Sequence, residues 1–195
     1  MIRYFEKQLG EIEHAVKSLD EEKFKKLVEE STEVLKNGHK IIVSGLGKNV
    51  PIGEKFVGSM LSLGMDACFL HTNSAVHGDM GAAKDGDLVI LLTKSGETQE
   101  SVYLARLLKE RKVDLWLLSF VKESTLAREI PNCIILDLPH EGDKWNIMPN
   151  NSTTVNLIIL QGLVMQLAEK MELQIGDFKR NHPGGKIGEI LKGRS

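Results

Sequence analysis

Cysteine is scarce in this sequence, with two among 195 residues, and this scarcity excludes a disulfide-stabilised scaffold. Cys68 and Cys133 both lie in apolar surroundings, ACFL and NCIIL respectively. A cysteine in such a context is typically a small buried hydrophobe rather than a disulfide partner or a metal ligand. We therefore expect two free, reduced and buried cysteines.

An excess of charge of either sign is also lacking. The sequence has 25 basic and 27 acidic residues, a net charge of −2, and the two signs are mixed along the chain. This pattern argues against a nucleic-acid partner and against a charged membrane-binding patch.

Long hydrophobic runs are missing as well. The longest apolar stretch, 155–171, is interrupted by Asn156, Gln161 and Gln166, which predicts a buried helix rather than a membrane span. The first residues, MIRYFEKQLGEIEHAV, contain no apolar core of a signal peptide. The expected location of the protein is therefore the cytoplasm.

What the sequence does have is the composition of an ordinary globular domain. Hydrophobic residues make up 42% and charged residues 27%, and a chain of this length buries about 70% of its unfolded surface. No internal repeat, low-complexity stretch or linker is visible. We expect a single domain over 1–195, with N-terminal helices in 1–37 and an α/β core followed by C-terminal helices in 38–195.

Short apolar runs alternate with helix-patterned segments after residue 38. The runs cover 40–45, 66–71, 87–93, 114–120 and 133–138, and the segments between them cover 50–63, 98–111 and 123–130. Apolar strands separated by amphipathic helices predict a parallel sheet covered on both faces. The predicted fold class is α/β: a doubly wound, mostly parallel, five-stranded, flavodoxin-like sheet with an N-terminal helical extension.

The helices outside this alternation have their own signals. Asp20 is a suitable N-cap for the second N-terminal helix, and Asn37-Gly38 ends that helix. The segment 152–171 is apolar nearly all round, which is more than one domain face requires. This helix therefore predicts a contact between subunits.

Ligands of parallel α/β sheets bind beyond the carboxyl ends of the strands, so the loops there carry the functional signals. Ser44-Gly45-Leu46-Gly47-Lys48-Asn49 follows the first strand. Its third glycine comes only at Gly53, and the second strand ends in His71 rather than in an acid. The loop therefore fits neither a dinucleotide fingerprint nor a Walker motif, and we predict no cofactor.

A second loop follows the third strand. It places hydroxyls at Thr93, Ser95 and Thr98 around a glycine, at the start of a helix. Hydroxyls, free backbone N–H groups and the helix dipole together favour a phosphate. A Ser/Thr cap with a following acid is the alternative interpretation, since such caps are common at helix starts, and this loop alone leaves both open.

Four other polar segments lie near predicted strand or helix ends. They are His77-Gly78-Asp79, Glu141, the helix start at 151–154 and the tail segment at 182–185. Each by itself is also compatible with a surface residue or a simple helix cap. His77 and Asp79 could hold a divalent ion, but three convergent ligands are not identifiable, and we predict no metal site.

Together these segments resemble the SIS (sugar isomerase) domain family, and within it the arabinose-5-phosphate isomerases. Six motifs occur in order between about residues 40 and 190: G-x-G-K at 45–48, A-x-H-G-D at 75–79, S-G-E-x-x-E at 95–100, S-T-x-A-R at 124–128, S-T-T at 152–154 and H-P-G-G-x-[IL]-G at 182–188. Any one of them is a weak signal, whereas six in order are specific.

The resemblance implies an isomerase that interconverts D-ribulose 5-phosphate and D-arabinose 5-phosphate through a cis-enediol, toward Kdo for lipopolysaccharide or capsule. The catalytic residues of the family correspond to Lys48, Glu100, Glu141 and His182. The residues expected to bind substrate and phosphate are Ser44, Gly47, Asn49, His77, Thr93, Ser95, Thr98 and Thr153. No cofactor or metal is implied. A homotetramer is expected, in which His182 reaches the site of a neighbouring subunit.

Roles within this set follow from the chemistry of proton transfer. Glu100 or Glu141 serves as the base, and the sequence does not choose between them. His182 opens the sugar ring or relays the proton, and Lys48 polarises an oxygen or holds the sugar chain. His77 is a fifth candidate, for substrate hydroxyls or ring opening.

Two departures from the family pattern leave alternatives open. Many relatives continue into a pair of CBS domains, and this sequence resembles the SIS module alone. Asn49-Val50 stands in place of Ser-Gly, and residues 145–150 (WNIMPN) replace a Gly-Leu-Ala-Pro-Thr type of segment. A hexulose- or heptose-phosphate isomerase and a non-catalytic sugar-phosphate sensor remain the rival interpretations.

Overall fold

A wholly parallel sheet of five strands lies at the centre of the molecule, whose computed structural model describes residues 2–192. The strands are β1 (Ile41–Gly45), β2 (Ala67–His71), β3 (Leu88–Leu92), β4 (Asp114–Ser119) and β5 (Cys133–Ile135). Their order is β2-β1-β3-β4-β5, and every neighbouring pair is parallel. This is the flavodoxin-like order, so the predicted fold class is confirmed.

The longer helices follow the predicted segments to within a few residues, whereas a short helix and a 3₁₀ turn occupy the segment after β2 that was predicted as a loop. They are α1 (Ile2–Lys17), α2 (Glu21–Lys36), α3 (Asn49–Ser62), α4 (Thr72–Ala75), α5 (Gln99–Lys109), α6 (Thr125–Glu129), α7 (Asn151–Lys170), α8 (Ile175–Arg180) and α9 (Gly185–Leu191), with a 3₁₀ turn at Asp79–Ala82. None of the helices within residues 2–192 combines the length and the hydropathy that crossing a membrane requires.

The central strands are buried on both faces because successive side chains point to opposite sides of the sheet. In β1, Ile41 and Val43 join one hydrophobic core, together with residues of α1, α2, α3 and α7. Ile42 points the other way, into a second core with residues of α5 and α6. Two helical layers therefore cover the sheet, which explains why the strands are continuous apolar runs.

The edge strands are less completely covered, and this corrects one expectation. Cys68 in β2 and Cys133 in β5 are both free, but each is only half-buried. Both strands lie at the edges of the sheet, where the helical layers cover them incompletely. Partial burial still raises the pKa of the Cys68 thiol, so this side chain remains a neutral thiol.

Both predicted signals at the ends of α2 are confirmed. The Asp20 carboxylate accepts a hydrogen bond from the backbone N–H of Lys23 at 3.0 Å, and Asn37 is the C-cap. The long helix α7 buries nine residues but leaves Ile158 and Met165 exposed to solvent. The sequence of this helix is apolar nearly all round, and the structure shows that Ile158 and Met165 lie on the side that faces away from the core.

Candidate active site

The winding of the sheet reverses between β1 and β3, the two strands that lie side by side at its centre. Gly45, the last residue of β1, pairs in register with Leu92, the last residue of β3. The Asn49 side-chain amide donates to the Leu92 carbonyl at 3.4 Å. The loops 44–49 and 93–98 are therefore neighbours at the point where such folds bind ligands.

The loop after β3, residues 93–98, is held in place by its own hydroxyls. The Thr93 hydroxyl accepts from the Gly96 N–H at 3.2 Å, and the Ser95 hydroxyl accepts from the Glu97 N–H at 3.2 Å. The Glu97 carboxylate accepts from the Thr125 N–H and hydroxyl at 2.7 and 2.8 Å. These bonds lower the pKa of Glu97 and fasten the loop to α6. We call residues 93–98 the cradle loop.

The start of α5 distinguishes a phosphate-binding loop from a simple helix cap. Thr98 is the N-cap residue of this 11-residue helix, with an extended backbone, but its side chain makes no capping hydrogen bond. The hydroxyl of Thr98 therefore remains available to an anion, beside the positive end of the helix dipole. The phosphate interpretation of this loop gains support over the simple cap.

Gly96 gives a direct test of the cradle loop. Its φ is +68°, and an added Cβ would lie 2.3 Å from the Ser124 hydroxyl, which caps α6 through the Ala127 N–H. Gly96→Ala is expected to cost about 1–3 kcal/mol from backbone strain alone and to weaken binding of phosphate. Thermal unfolding and phosphate titration measure the two effects.

Gly58 provides the matched control for that substitution. It lies inside α3, and apart from the adjacent residues and the backbone of its own helix no atom would come within 4 Å of an added Cβ. Gly58→Ala should therefore be neutral or stabilising, by up to about 1 kcal/mol. Equal thermal stability of Gly96→Ala and Gly58→Ala would contradict the assigned role of Gly96.

Glu141 is completely buried and makes three contacts through its carboxylate. Its Oε1 lies 2.9 Å from the Lys94 ammonium. Its Oε2 accepts from the backbone N–H groups of Asn150 and Ser152 at 3.0 and 2.9 Å. Burial by itself raises the pKa of Glu141, but the hydrogen bonds from Ser152 and Asn150 and the contact with Lys94 outweigh burial, so the net pKa is lowered. The group is thus a carboxylate that caps α7, and it does not face solvent.

Lys94 was missed by the sequence reasoning, although its position between Thr93 and Ser95 was a signal that could have identified it. Its backbone carbonyl accepts from the Ser119 hydroxyl at 3.1 Å and from the Phe120 N–H at 3.2 Å. The loops after β3, β4 and β5 therefore meet at this residue.

The segment before α7, where the sequence departs from the family, is tightly organised. The Asp143 carboxylate accepts from the N–H groups of Trp145, Ile147 and Met148 at 2.8 to 3.0 Å. Burial by itself raises the pKa of Asp143, but these backbone hydrogen bonds outweigh it and the net pKa is lowered. Trp145 and Ile147 nevertheless stay 66% and 73% exposed, so the unusual residues project outward from a fixed loop.

Besides Thr93 and Ser95, three further predicted binding residues have protein partners. The Ser44 hydroxyl is fully buried and shares a hydrogen bond with the Thr72 hydroxyl at 3.1 Å. The Thr153 hydroxyl donates to the Asn150 backbone carbonyl at 2.8 Å, and the side-chain oxygen Oδ1 of Asn49 accepts from the side-chain amide of Asn156 at 3.0 Å. Ser44 thus lies beneath the site, whereas Asn49 joins the loop after β1 to α7.

His77 and Glu100 are brought together, which the sequence alone did not show. They line one cavity of about 370 Å³ with Thr72, Asn73, Val76 and Tyr103, and both side chains are exposed to solvent. Gly47 (φ +55°) and Lys48 are also exposed, at the start of α3. Within residues 2–192, no three His, Cys, Asp or Glu side chains are grouped closely enough to hold a metal ion.

His182 lies away from these residues of its own chain. Its ring stacks on the Phe178 ring with the centroids 3.9 Å apart, and its Nδ1 is hydrogen-bonded to the Phe178 backbone carbonyl at 2.8 Å. The adjacent Asn181 donates to the carbonyl of Ser62, the last residue of α3. Lys48 lies at the opposite end of that 14-residue helix, which is about 21 Å long. Of the four predicted catalytic residues, His182 is therefore separated from the site within one chain.

Comparison with known proteins adds an independent line of evidence. The family model described as SIS domain matches residues 34–166. Arabinose 5-phosphate isomerase KdsD of Yersinia pestis is 33% identical over 152 residues, which make up 78% of this chain and 46% of that protein. The chain thus spans about half the length of the curated relatives it matches.

Solved structures of similar proteins share the whole fold. One is a Bacteroides fragilis protein described as a phosphosugar isomerase involved in capsule formation, at 30% identity and a TM-score of 0.87, covering 95% of this chain and 98% of that one. Another is an Escherichia coli CFT073 protein in complex with arabinose 5-phosphate, at 28% identity and a TM-score of 0.83, covering 92% and 94%.

Proposed function

Because the chain belongs to the SIS domain family, we propose that it is an aldose–ketose isomerase that interconverts D-ribulose 5-phosphate and D-arabinose 5-phosphate through a cis-enediol. One observation carries the proposal: the cradle loop leads directly into the helix turn that places Glu100 in a cavity with His77. A phosphate-binding loop next to an acid–base pair is what this reaction requires. The similarity to KdsD and to the protein solved with arabinose 5-phosphate supports the choice of sugar.

The phosphate end of the substrate binds at the cradle loop. Ser95 and Thr98 supply hydroxyls, and the N-terminal N–H groups of α5 supply further donors and the positive end of the dipole. Gly47 and Asn49 bring the neighbouring loop alongside. Since the loop is already held by Thr93 and Glu97, little ordering accompanies binding, which favours affinity.

Glu100 is the base in this proposal. Its side chain is exposed in the cavity, so it can touch a carbon-bound proton, whereas Glu141 is completely enclosed. The base takes a proton from C1, next to the C2 carbonyl of ribulose 5-phosphate, exchanges it with solvent at the enediol stage, and delivers a proton to C2, the former carbonyl carbon. In this proposal His77, which lines the same cavity, donates to or accepts from the sugar hydroxyls, and Lys48 polarises the carbonyl oxygen.

His182 is proposed to act in the site of a neighbouring subunit. Its position near the far end of α3 separates it from Lys48 of its own chain by about the helix length. The exposed apolar side chains of α7, Ile158 and Met165, provide surface for association. We propose a homotetramer, with residues 1–195 as one SIS unit, located in the cytoplasm and supplying Kdo synthesis for lipopolysaccharide or capsule.

The reaction is tested by incubating the purified protein with ribulose 5-phosphate in D₂O and following the sugars by NMR. We expect arabinose 5-phosphate to appear with deuterium at C2, because an enediol intermediate exchanges its proton with solvent. Product that stays free of deuterium over many turnovers would contradict the proton-transfer mechanism.

Alternative substrates serve as the comparison in the same assay. Hexulose 6-phosphate and sedoheptulose 7-phosphate should turn over more slowly than ribulose 5-phosphate. Faster turnover of either would assign the protein to another phosphosugar isomerase. Binding of all three without turnover would assign it to a sugar-phosphate sensor.

A further inference from the structure

The ion pair between Lys94 and Glu141 is strongly asymmetric. The Glu141 side chain has no exposed surface, whereas 38% of the Lys94 side chain is exposed. Within the part of the chain that the structure describes, Glu141 is the one ion-pair partner of the Lys94 ammonium. An ammonium carries three N–H donors, so Lys94 can bind a further anion without leaving Glu141.

Glu141 is poorly placed to act as a base. One carboxylate oxygen accepts two backbone N–H groups, those of Asn150 and Ser152, and the other faces Lys94. A general base must come within hydrogen-bond reach of the proton it removes, and no surface of Glu141 is accessible to a substrate. Its contacts instead stabilise the ionised form and hold Lys94.

The charges around the cradle loop favour an anion at Lys94. Residues 93–98 contain one basic side chain, Lys94, and one acidic side chain, Glu97. The Glu97 carboxylate already accepts hydrogen bonds from Thr125. The negative charge of Glu141 lies at the N-terminus of the 20-residue helix α7, whose dipole offsets part of it. A positive potential therefore remains on the exposed side of Lys94.

We propose that Lys94 is a substrate-binding residue that contacts the phosphate group of the sugar, and that Glu141 is a positioning residue that acts through Lys94. The proposal rests on the proposed function for the identity of the substrate. A phosphate ester carries about 1.5 to 2 negative charges at neutral pH. The Lys94 backbone is fixed by Ser119 and Phe120, so its ammonium belongs to the same cradle loop that is proposed to bind this phosphate.

The first experiment compares Lys94→Met with Lys94→Arg. Inorganic phosphate is titrated by ³¹P NMR, and KM and kcat are measured with ribulose 5-phosphate. Loss of a charge-assisted hydrogen bond should weaken phosphate binding and raise KM by roughly 10- to 100-fold in Lys94→Met, with little change in kcat. Lys94→Arg keeps the charge and should bind phosphate within a few-fold of the unmodified protein.

Lys112 provides the matched control for lost charge. Its side chain is 88% exposed and lies 3.8 Å from the Asp85 carboxylate. Lys112 precedes β4, at the amino ends of the strands, whereas the cradle loop lies at their carboxyl ends. Lys112→Met removes the same charge and should leave phosphate affinity unchanged. Equal phosphate affinity of Lys94→Met and Lys112→Met would overturn the proposal.

A double-mutant cycle separates the role of Glu141 from that of Lys94. Glu141→Gln should raise KM in the unmodified background but add no more than about twofold in the Lys94→Met background, since residues acting as one unit are not additive. A kcat loss of about 10²–10⁴-fold in both backgrounds would identify Glu141 as the base and overturn its positioning role.

Two features keep these outcomes interpretable. Lys94→Met alone leaves a buried carboxylate without its cation, which is destabilising, whereas the double variant Lys94→Met/Glu141→Gln removes both charges and serves as the folded reference, checked by thermal unfolding. The phosphate titration does not depend on turnover. If the protein shows no isomerase activity, but Lys94→Met binds phosphate more weakly and Lys112→Met does not, the proposed reaction is rejected while the role of Lys94 is supported.

Discussion

Glu100→Gln is expected to lower kcat with ribulose 5-phosphate by about 10²–10⁴-fold, the contribution of one positioned acid–base group. The amide cannot take the proton next to the carbonyl, whereas its size and polarity preserve the cavity shared with His77. The cradle loop precedes Glu100 and is held by other residues, so phosphate affinity should stay within a few-fold of the original. Steady-state kinetics and phosphate titration measure the two quantities.

Glu110 is the control for this substitution. It lies just after the last turn of the same helix, α5, and is exposed, so Glu110→Gln removes the same charge at the other end of the helix. Its kcat should be unchanged. Glu100 also complements the helix dipole, which contributes about 0.3–1 kcal/mol, and thermal unfolding will show this small loss. A kcat for Glu100→Gln within tenfold of the original would mean that the base is another residue.

Mixing two inactive variants should restore activity if His182 acts in a neighbouring subunit. Chains carrying Glu100→Gln and chains carrying His182→Asn each lack one group in every site. In a randomly mixed oligomer, about a quarter of the sites combine an intact Glu100 with an intact His182 from the adjacent chain. We therefore expect co-expressed, differently tagged chains to recover about a quarter of the original kcat per site.

A mixture that shares one defect provides the control. Chains with Glu100→Gln, mixed with chains carrying both Glu100→Gln and His182→Asn, have no intact Glu100 in any site and should stay inactive. If the first mixture also stays inactive after subunit exchange, with exchange verified by the tags, His182 acts within its own chain. The tail that follows α7 would then have to move by about the length of α3.

Local and periodic features of the fold could be predicted from the sequence. The strands β1 to β5 follow from short apolar runs, because strands buried on two faces show no polar alternation. The caps of α2 are equally local: the Asp20 side chain accepts from the nearby Lys23 N–H, and the backbone N–H of Asn37 closes the last turn on the Glu33 and Leu35 carbonyls. The order of the six motifs identified the family, which the match over residues 34–166 confirms.

Contacts between distant parts of the chain could not be predicted in this way. The pairing of Lys94 with Glu141, and the complete burial of Glu141, depend on where the loops after β3 and β5 meet. The shared cavity of His77 and Glu100 likewise joins loops from different strands. Spacing along the sequence carries no information on such distances.

The sequence by itself therefore determined the class of the fold, the edge of the sheet that carries the loops and the residue types available there. Strand and helix periods arise from bonds between near neighbours, which any segment of the chain records. Only the tertiary structure decided which of those residues are enclosed and which are open. It enclosed Glu141 and Ser44 and left Glu100 and Lys94 accessible, because burial depends on the packing of the helical layers over the sheet. The tertiary structure also showed that His182 lies far from Lys48 of the same chain, because the full length of α3 separates the two residues.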